Sequence, residues 1–288
     1  MPDQAPPHLP HLLVFGLGYS GLAIARAALQ LGWRVTATSR TPGVAPPGIA
    51  LIPTADAGPA LATATHLVAT APPGDDGDPI LALYGHAFSN LRWAGYLSTT
   101  GVYGDRAGAW VDETTAPAPT SPRAHRRLAA EQAWRAAIPA SLDIFRLAGI
   151  YGPGRSPFAD LRAGHARRIA KPGHLFGRIH RDDIAGAVLA AARRPGNRIL
   201  NLSDDEPASS ADVTAEAARL LGLPPPPAIP YAAATLSPMA QSFWSENRRV
   251  RSTLTQQWLA RPWTYPTYRE GLRATLAEEL AEHPPQQR

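Results

Sequence analysis

The chain has 288 residues, of which 44% are hydrophobic, and a formal net charge of +5. This length and apolar content are enough for a full-sized globular core, built as one large domain or as one domain with a smaller partner. Because cysteine is absent, disulfides, thiolate catalysis and thiolate metal sites are excluded. No apolar run approaches the length of a membrane span, so the composition predicts a cytoplasmic protein without a membrane partner.

The positive charge raises the question of a nucleic-acid partner. Basic clusters such as "GHARRIAK" and "ENRRVRS" are not interleaved with the Gly-aromatic pattern of RNA-binding sheets, and no zinc-finger spacing occurs. The histidines show no metal-ligand spacing, and no serine stands in a G-x-S-x-G turn. We therefore expect a small-molecule substrate, with no nucleic acid, no metal and no hydrolase chemistry.

The first half of the sequence alternates short apolar runs with helical stretches. Strands are predicted at "HLLVFGLG", "WRVTATSR", "IALIPT", "HLVATAPP", "AGYLSTTGVYG" and "SLDIFRLAGIYG". Helices are predicted at "YSGLAIARAALQLG" and "PILALYGHAFSNLRW", and from Pro122 onward. Nearly continuous apolar strands that alternate with helices are typical of a parallel sheet covered on both faces. The sequence thus predicts an α/β fold with a doubly wound, Rossmann-like parallel sheet.

The second half is less regular. A helix at "DDIAGAVLAAARR" and a strand at "RILNLSD" resume the pattern, and two further helices are predicted at 211–221 and from about Thr267. These changes of pattern set the predicted domain boundaries: a Rossmann-like domain of residues 1–152 and 180–203, and a smaller C-terminal substrate-binding domain of residues 153–179 and 204–288.

A glycine-rich turn lies directly between the first strand and the first helix. In "VFGLGYSG", Gly16, Gly18 and Gly21 form a G-x-G-x-x-G pattern in a strand-turn-helix context. Glycines at these positions permit a tight turn and close approach to a pyrophosphate, whose negative charge the helix N-terminus stabilises. The turn, which includes Tyr19 and Ser20, predicts a dinucleotide site.

Two other strand ends add to this predicted site. The second strand ends in Ser39 and Arg40, where a site that prefers NAD would place an acidic residue. A hydroxyl and a guanidinium suit a 2′-phosphate, which favours NADP over NAD. The alternative is that Arg40 is a surface residue that stacks on the adenine. Ala71, Pro72 and Pro73 follow another strand and are predicted to line the same ligand.

The stretch "TSPRAHRRLAAEQAW" places several arginines at the start of a helix. Ser121 and Pro122 form a good N-cap and first-turn pair. One interpretation is a solvated basic face on which Arg127 pairs with Glu131 one turn later. The other is an anionic or polar ligand beyond the helix start. The local pattern leaves both open.

The glycine-rich turn, "STTGVYGD", "RLAGIYGPGRS", "RIHRDDIA", "NLSDDEPAS" and "YPTYREGL" together resemble the extended short-chain dehydrogenases/reductases, also called NAD-dependent epimerases/dehydratases. The similarity runs over nearly the whole chain. Phe15 replaces the first glycine of the usual G-x-x-G-x-x-G, which is typical of atypical members. The resemblance implies a nicotinamide cofactor, and the family's habit of pairing through Rossmann helices implies a homodimer.

The resemblance also implies roles for individual residues. Thr99 matches the residue that hydrogen-bonds the substrate oxygen. The family's Tyr-x-x-x-Lys pair is replaced by Arg123 and Arg127. Arg127 would take over the lysine's contact with the nicotinamide ribose, whereas Arg123 would hold a carboxylate or phosphate or stabilise an oxyanion. Tyr103 and Tyr151 are candidate proton donors; their alternative positions are in the substrate pocket and beside the cofactor, respectively.

Together these residues predict an NADP(H)-binding oxidoreductase or epimerase/dehydratase-like enzyme that acts on a small substrate with an anionic group. The alternative is a catalytically silent sensor or regulatory protein that kept the dinucleotide site and lost the tyrosine. Fold alone does not decide between an enzyme and a sensor.

Overall fold

The computed structural model of the chain describes residues 9–41, 43–138 and 141–282. The strands are β1 (His11–Phe15), β2 (Arg34–Ser39), β3 (Ile49–Pro53), β4 (His66–Ala69), β5 (Trp93–Thr99), β6 (Trp110–Val111), β7 (Ser141–Leu147), β8 (Gly149–Tyr151), β9 (Arg168–Ala170), β10 (Arg178–His180), β11 (Ile199–Leu202), β12 (Ala228–Pro230) and β13 (Arg249–Val250). The helices are α1 (Tyr19–Gln30), α2 (Gly58–Thr63), α3 (Pro79–Tyr84), α4 (Pro122–Ala137), α5 (Phe158–Arg162), α6 (Arg181–Ala192), α7 (Ser210–Leu220), α8 (Pro238–Trp244), α9 (Thr253–Leu259) and α10 (Tyr268–Glu282). Within these ranges, none of the helices has the length and apolar character needed to cross a membrane.

A seven-stranded parallel sheet forms the centre of the fold, in the order β11-β7-β5-β4-β1-β2-β3. Leu13 of β1 lies opposite Thr36 of β2 on one side and Leu67 of β4 on the other. The strand order therefore reverses between β1 and β4, and ligands of open α/β sheets bind at such switch points. The predicted doubly wound parallel sheet is confirmed.

The amino-acid pattern explains why β1 and α1 form. Every residue of β1, "HLLVF", is buried, as expected for a central strand covered on both faces. Helix α1 buries Ile24, Ala25 and Ala28, which lie on one face at helical spacing. This face anchors the helix and fixes where its N-terminus points.

The chain divides into two compact units. The first takes its described residues from 1–98, 126–145 and 184–199, and the second from 99–125, 146–183 and 200–288. The second unit includes residues 99–125, which lie within the Rossmann-like domain predicted from the sequence. The predicted domain boundaries remain a prediction.

Each unit has its own aromatic-containing core. In the first, the ring of Trp134 stacks on Phe88 and Tyr96, with centroids 5.5 and 5.7 Å apart. In the second, Tyr151 and Tyr268 are buried in one apolar cluster from β8, α5, α7 and α10. Offset aromatic pairs of this kind contribute about 0.5–1.5 kcal/mol beyond their buried area.

The predicted elements differ from the structure mainly in their ends. The helix predicted at "PILALYGHAFSNLRW" stops at Tyr84, and Phe88 in the segment that follows is buried. The strand predicted at "SLDIFRLAGIYG" is divided into β7 and β8. The sequence pattern did not identify α2. The helices predicted at 211–221 and from about Thr267 are confirmed as α7 and α10.

A buried ion pair ties β7 to the chain before β11. Asp143 is fully buried, and its carboxylate accepts hydrogen bonds from the Arg198 guanidinium, with Nε and one terminal nitrogen each 2.8 Å away. The indole N–H of Trp93 on β5 donates to the same carboxylate over 2.8 Å. One carboxylate thereby links three elements of the first unit.

We expect Arg198→Met to lower the free energy of unfolding by about 3 kcal/mol, because it leaves Asp143 as a buried charge without its cation. Arg193→Met is the matched control: Arg193 is exposed on the same stretch of chain, and its replacement should change stability by less than about 0.5 kcal/mol. Urea denaturation of both variants measures the difference. Equal stability of the two variants would contradict this account of the ion pair.

Candidate functional site

The turn after β1 needs glycine at two positions for reasons internal to the chain. Gly16 has a φ of +96°, and a Cβ there would lie 2.7 Å from Oγ1 of Thr70. A Cβ on Gly21 would lie 2.3 Å from the carbonyl oxygen of Gly16. The hydroxyl of Thr70 donates to the same oxygen over 2.6 Å. Gly16 and Gly21 therefore permit close contacts that set the path of the turn.

No contact within the chain requires a glycine at the position of Gly18. Its φ of −84° is open to any residue, and a Cβ there would meet nothing within 4 Å. Helix α1 begins at Tyr19 with no side-chain cap and no acidic residue in its first turn. Gly18, the N-cap residue, has no side chain to cap the positive end of this helix, and the space beyond it is open. These residues fit a bound pyrophosphate, which would fill the space that a Cβ would occupy.

Two threonines that the motif did not reveal hold this turn in place. Oγ1 of Thr38 accepts a hydrogen bond from the Gly16 N–H at 3.2 Å, and Thr70 contacts the turn from β4 as described above. Ala71, Pro72 and Pro73 follow Thr70 and are partly or fully exposed. Of these three, Ala71 lies at the turn, its backbone nitrogen 3.5 Å from where a Cβ on Gly16 would stand; the role of Pro72 and Pro73 stays a prediction.

Ser39 and Arg40 end β2 and differ in what they offer a ligand. The Ser39 hydroxyl donates to the carbonyl of Thr41 over 2.7 Å and accepts from the Thr41 N–H. Its hydrogen is therefore already in use. Arg40 is exposed, and no hydrogen bond or ion pair to a described residue is recorded for it. The guanidinium, rather than the hydroxyl, is free to bind an anion.

Arg127 is buried, so the interpretation of its position as part of a solvated face is wrong. One terminal nitrogen of Arg127 donates to the hydroxyl of Tyr96 over 3.0 Å and to the carbonyl of Leu97 over 2.9 Å. Burial raises the pKa of Tyr96 to about 12, although the nearby Arg127 charge acts in the opposite direction. Tyr96 is therefore a neutral phenol that fixes the guanidinium against β5.

The loop after β4 is also tied to α4. Its Gly74 and Gly77 pair as a short antiparallel bridge, with Asp75 in the turn between them. Asp75 forms an ion pair with Arg126. At the loop's end, Asp78 accepts from the indole N–H of Trp134 over 2.9 Å. Because the Arg126 pair is exposed, its contribution to stability is about 0–1 kcal/mol.

In the second unit, Thr99 and Tyr103 have different capacities for chemistry. Oγ1 of Thr99 accepts from the Gly101 N–H at 3.1 Å, and no acceptor for its hydrogen is recorded among the described residues. Tyr103 is fully buried, with its hydroxyl 2.9 Å from the Asp112 carbonyl and 2.8 Å from Oδ1 of Asn201. Burial raises the pKa of Tyr103. This geometry favours a packing role for Tyr103 over proton donation.

Arg123 and Tyr151 also belong to the second unit. Arg123 is exposed, with its guanidinium carbon 5.7 Å from the ring centroid of Phe243. Tyr151 is buried, its ring 5.2 Å from that of His180, and its hydroxyl packs against Gly271, where a Cβ would lie 1.8 Å away. Burial raises the pKa of Tyr151. Its surroundings are those of a core residue.

The sequence-predicted site residues divide between the two units. The first unit holds Gly16, Gly18, Tyr19, Ser20, Gly21, Ser39, Arg40, Ala71, Pro72, Pro73 and Arg127, and the second holds Thr99, Tyr103, Arg123 and Tyr151. Among the residues that the structure describes, no cluster of histidine and carboxylate side chains has the geometry to hold a metal ion.

A parallel sheet of this order, with a glycine-rich turn at its switch point, defines the Rossmann-like class of folds. No family model matches the chain. It is similar to Protein YeeZ of Escherichia coli strain K12, with 31% identity over 240 residues that cover 74% of this chain and 84% of the relative. On this similarity the chain belongs to the same family as Protein YeeZ.

Two solved structures extend the comparison. A functionally unknown conserved protein from Silicibacter pomeroyi is 45% identical, with a TM-score of 0.86 over 93% of this chain and 99% of the other. The human epimerase family protein SDR39U1, isoform 2, solved with NADPH, is 17% identical, with a TM-score of 0.73 over 93% of this chain and 99% of the other. The human structure shares the fold.

The two glycines of the turn should respond differently to substitution. Gly21→Ala forces a Cβ into the Gly16 carbonyl and should lower the free energy of unfolding by about 1–3 kcal/mol. Gly18→Val should change stability by less than about 1 kcal/mol, since its backbone is extended and its Cβ meets nothing. If the space beyond Gly18 takes a pyrophosphate, this variant should also bind NADPH at least about tenfold more weakly.

Urea denaturation and fluorescence titration with NADPH measure the two effects separately. A Gly18→Val variant that is folded and binds NADPH as tightly as the unmodified protein would contradict the assignment of this space to a ligand.

Proposed function

We propose that the protein is an NADP(H)-dependent oxidoreductase or epimerase/dehydratase-like enzyme. The observation that carries the proposal is the combination of Gly18, which neither backbone nor packing requires, with the uncapped N-terminus of α1. A pyrophosphate accounts for both features. The human neighbour solved with NADPH supports the choice of ligand.

Two arginines of the first unit have separate roles in this proposal. Arg40, exposed at the end of β2, binds the 2′-phosphate. Arg127, held by Tyr96 and Leu97 through one nitrogen, presents the remaining donors of its guanidinium to the nicotinamide ribose. When bound, the nicotinamide supplies or accepts a hydride.

The proposed substrate is a small molecule with an anionic group. Thr99 orients its reacting oxygen, because the Thr99 hydroxyl accepts from Gly101 and keeps a hydrogen to donate. Arg123 holds the anionic group, since the guanidinium is exposed and lies beside the Phe243 ring. Neither residue acts as a proton donor at neutral pH.

A catalytically silent sensor is the second candidate, and the engaged hydroxyl of Tyr103 favours it. One assay distinguishes the enzyme from the sensor. Sugar nucleotides, hydroxy acids and aldehydes are screened for oxidation or reduction of the cofactor. Turnover that Thr99→Val abolishes would support the enzyme, whereas tight NADPH binding without turnover of any of these substrates would support the sensor.

The first prediction from this proposal concerns cofactor choice. NADPH should bind about tenfold or more tightly than NADH, because a charge-assisted arginine–phosphate contact contributes ~1.5–3 kcal/mol. Arg40→Ala should remove most of this difference while leaving NADH affinity nearly unchanged. Fluorescence titration at fixed ionic strength gives both affinities. Equal binding of NADPH and NADH by the unmodified protein would exclude the role of Arg40.

The second prediction separates the arginines of α4. Arg127→Ala should weaken NADPH and NADH by a similar factor, since both dinucleotides carry the same nicotinamide ribose. Arg123→Ala is the control on the same helix: it should leave both affinities nearly unchanged and impair only turnover of an anionic substrate. Arg127→Lys should restore part of the binding, because an ammonium still donates to a ribose. Dinucleotide affinities unaffected by Arg127→Ala would refute its proposed contact.

A further inference from the structure

The two-stranded sheet of β6 and β13 has one face that the core does not use. The strands are parallel, with Arg249 opposite Trp110 and Val250 opposite Val111. Val111 and Val250 are buried together with Tyr103. Alternate residues of a strand point to opposite faces, so Trp110 and Arg249 lie on the other face. The Trp110 side chain remains 42% exposed.

Cationic side chains surround this exposed indole. The guanidinium carbon of Arg251 lies 4.9 Å from the Trp110 ring centroid, and that of Arg249 lies 6.0 Å away. Both distances are within the range of cation–π attraction. Arg251 is exposed, and no hydrogen bond or ion pair from its guanidinium to a described residue is recorded. An aromatic surface and unused guanidinium donors therefore lie side by side.

The indole forms part of the wall of a cavity of about 620 Å³. Arg251, Gln257 and Arg261 line it too. Nε of Arg261 is buried and has no hydrogen-bond partner among the described residues, whereas one terminal nitrogen donates to Oγ1 of Thr264 over 3.1 Å and lies 3.7 Å from Oδ1 of Asp183. Gln257 is exposed, and no hydrogen bond of its side-chain amide to a described residue is recorded. The cavity is within the size range of small-molecule sites and combines a ring surface, two cations and an amide.

Asp205 contributes a carboxylate to the cavity wall. It accepts a hydrogen bond from the Gln256 side chain over 3.0 Å. Burial raises the pKa of Asp205, which disfavours its charged form. Because Asp183 already offsets the charge of Arg261, Arg251 supplies the positive charge that suits the cavity to an anion.

We propose that this cavity binds a nucleoside monophosphate. The base stacks on Trp110, as bases stack on exposed aromatic side chains in other proteins. The phosphate accepts hydrogen bonds from Arg251 and Arg261. The amide of Gln257 offers a donor and an acceptor to the base edge. None of these residues belongs to the proposed dinucleotide site, so this inference goes beyond the proposed function.

Calorimetric titration with AMP tests the proposal, with and without saturating NADPH. AMP should bind under both conditions, and Trp110→Leu and Arg251→Gln should each weaken it at least tenfold. Trp258→Leu is the matched control, because its side chain is also 42% exposed but does not line the cavity. It should leave AMP affinity unchanged. AMP binding that Arg40→Ala removes and Trp110→Leu does not would belong to the glycine-rich turn and would overturn the proposal.

Adenosine and inorganic phosphate are the remaining probes. Each should bind at least tenfold more weakly than AMP, because each lacks half of the proposed contacts. Phosphate that binds as tightly as AMP would indicate a simple anion site and overturn the role of Trp110. Absence of AMP binding to the folded protein would overturn the proposal as a whole.

Discussion

The contact at the Gly16 carbonyl is the constraint on which the first unit's site depends. The Thr70 hydroxyl donates to this oxygen over 2.6 Å, and Gly21 approaches it so closely that a Cβ would lie 2.3 Å away. These contacts join the end of β1, the end of β4 and the first turn of α1 at the switch point of the sheet. The N–H groups at the start of α1 are therefore fixed by backbone geometry. Their capacity to hold an anion does not depend on the rotamer of any side chain.

The arginines near the start of α4 carry the same charge but have different partners. A cation near a helix N-terminus is disfavoured by about 0.3–1 kcal/mol. For Arg127 this cost is offset by hydrogen bonds to Tyr96 and Leu97, each typically worth about 1.5–3 kcal/mol when the donor is charged. For Arg126 the cost is offset more weakly, by its exposed ion pair with Asp75. A lysine in place of Arg127 would have three donors on one nitrogen, whereas the guanidinium has five in a fixed plane. The guanidinium of Arg127 therefore keeps donors for a ligand after its protein contacts are made.

The sequence predicts features that depend on residues close together along the chain, and it does not predict contacts between distant segments. The start of α4 was predictable because Ser121 caps it three residues away, at the Ala124 N–H. The sheet was predictable from its apolar strands, and the turn from its glycines. The partner of Arg127 was not, since Tyr96 is 31 residues distant and the contact exists only because α4 packs on β5. The engaged hydroxyl of Tyr103 likewise depends on Asn201, which is 98 residues away. A motif in one segment does not specify which side chains the fold brings to it.

The hydroxyl groups of the second unit constrain the chemistry that the proposed enzyme can perform. Tyr103 lies between two acceptors and has a raised pKa, so using it as an acid would require breaking a buried pair of contacts. Thr99 keeps a hydrogen to donate, but an alcohol of this kind orients an oxygen without protonating it. An arginine cannot serve as the acid, because a guanidinium does not give up its proton in proteins. It can stabilise negative charge without transferring a proton. In the proposed enzyme these residues would orient a substrate oxygen and stabilise negative charge on it, and the proton would come from water.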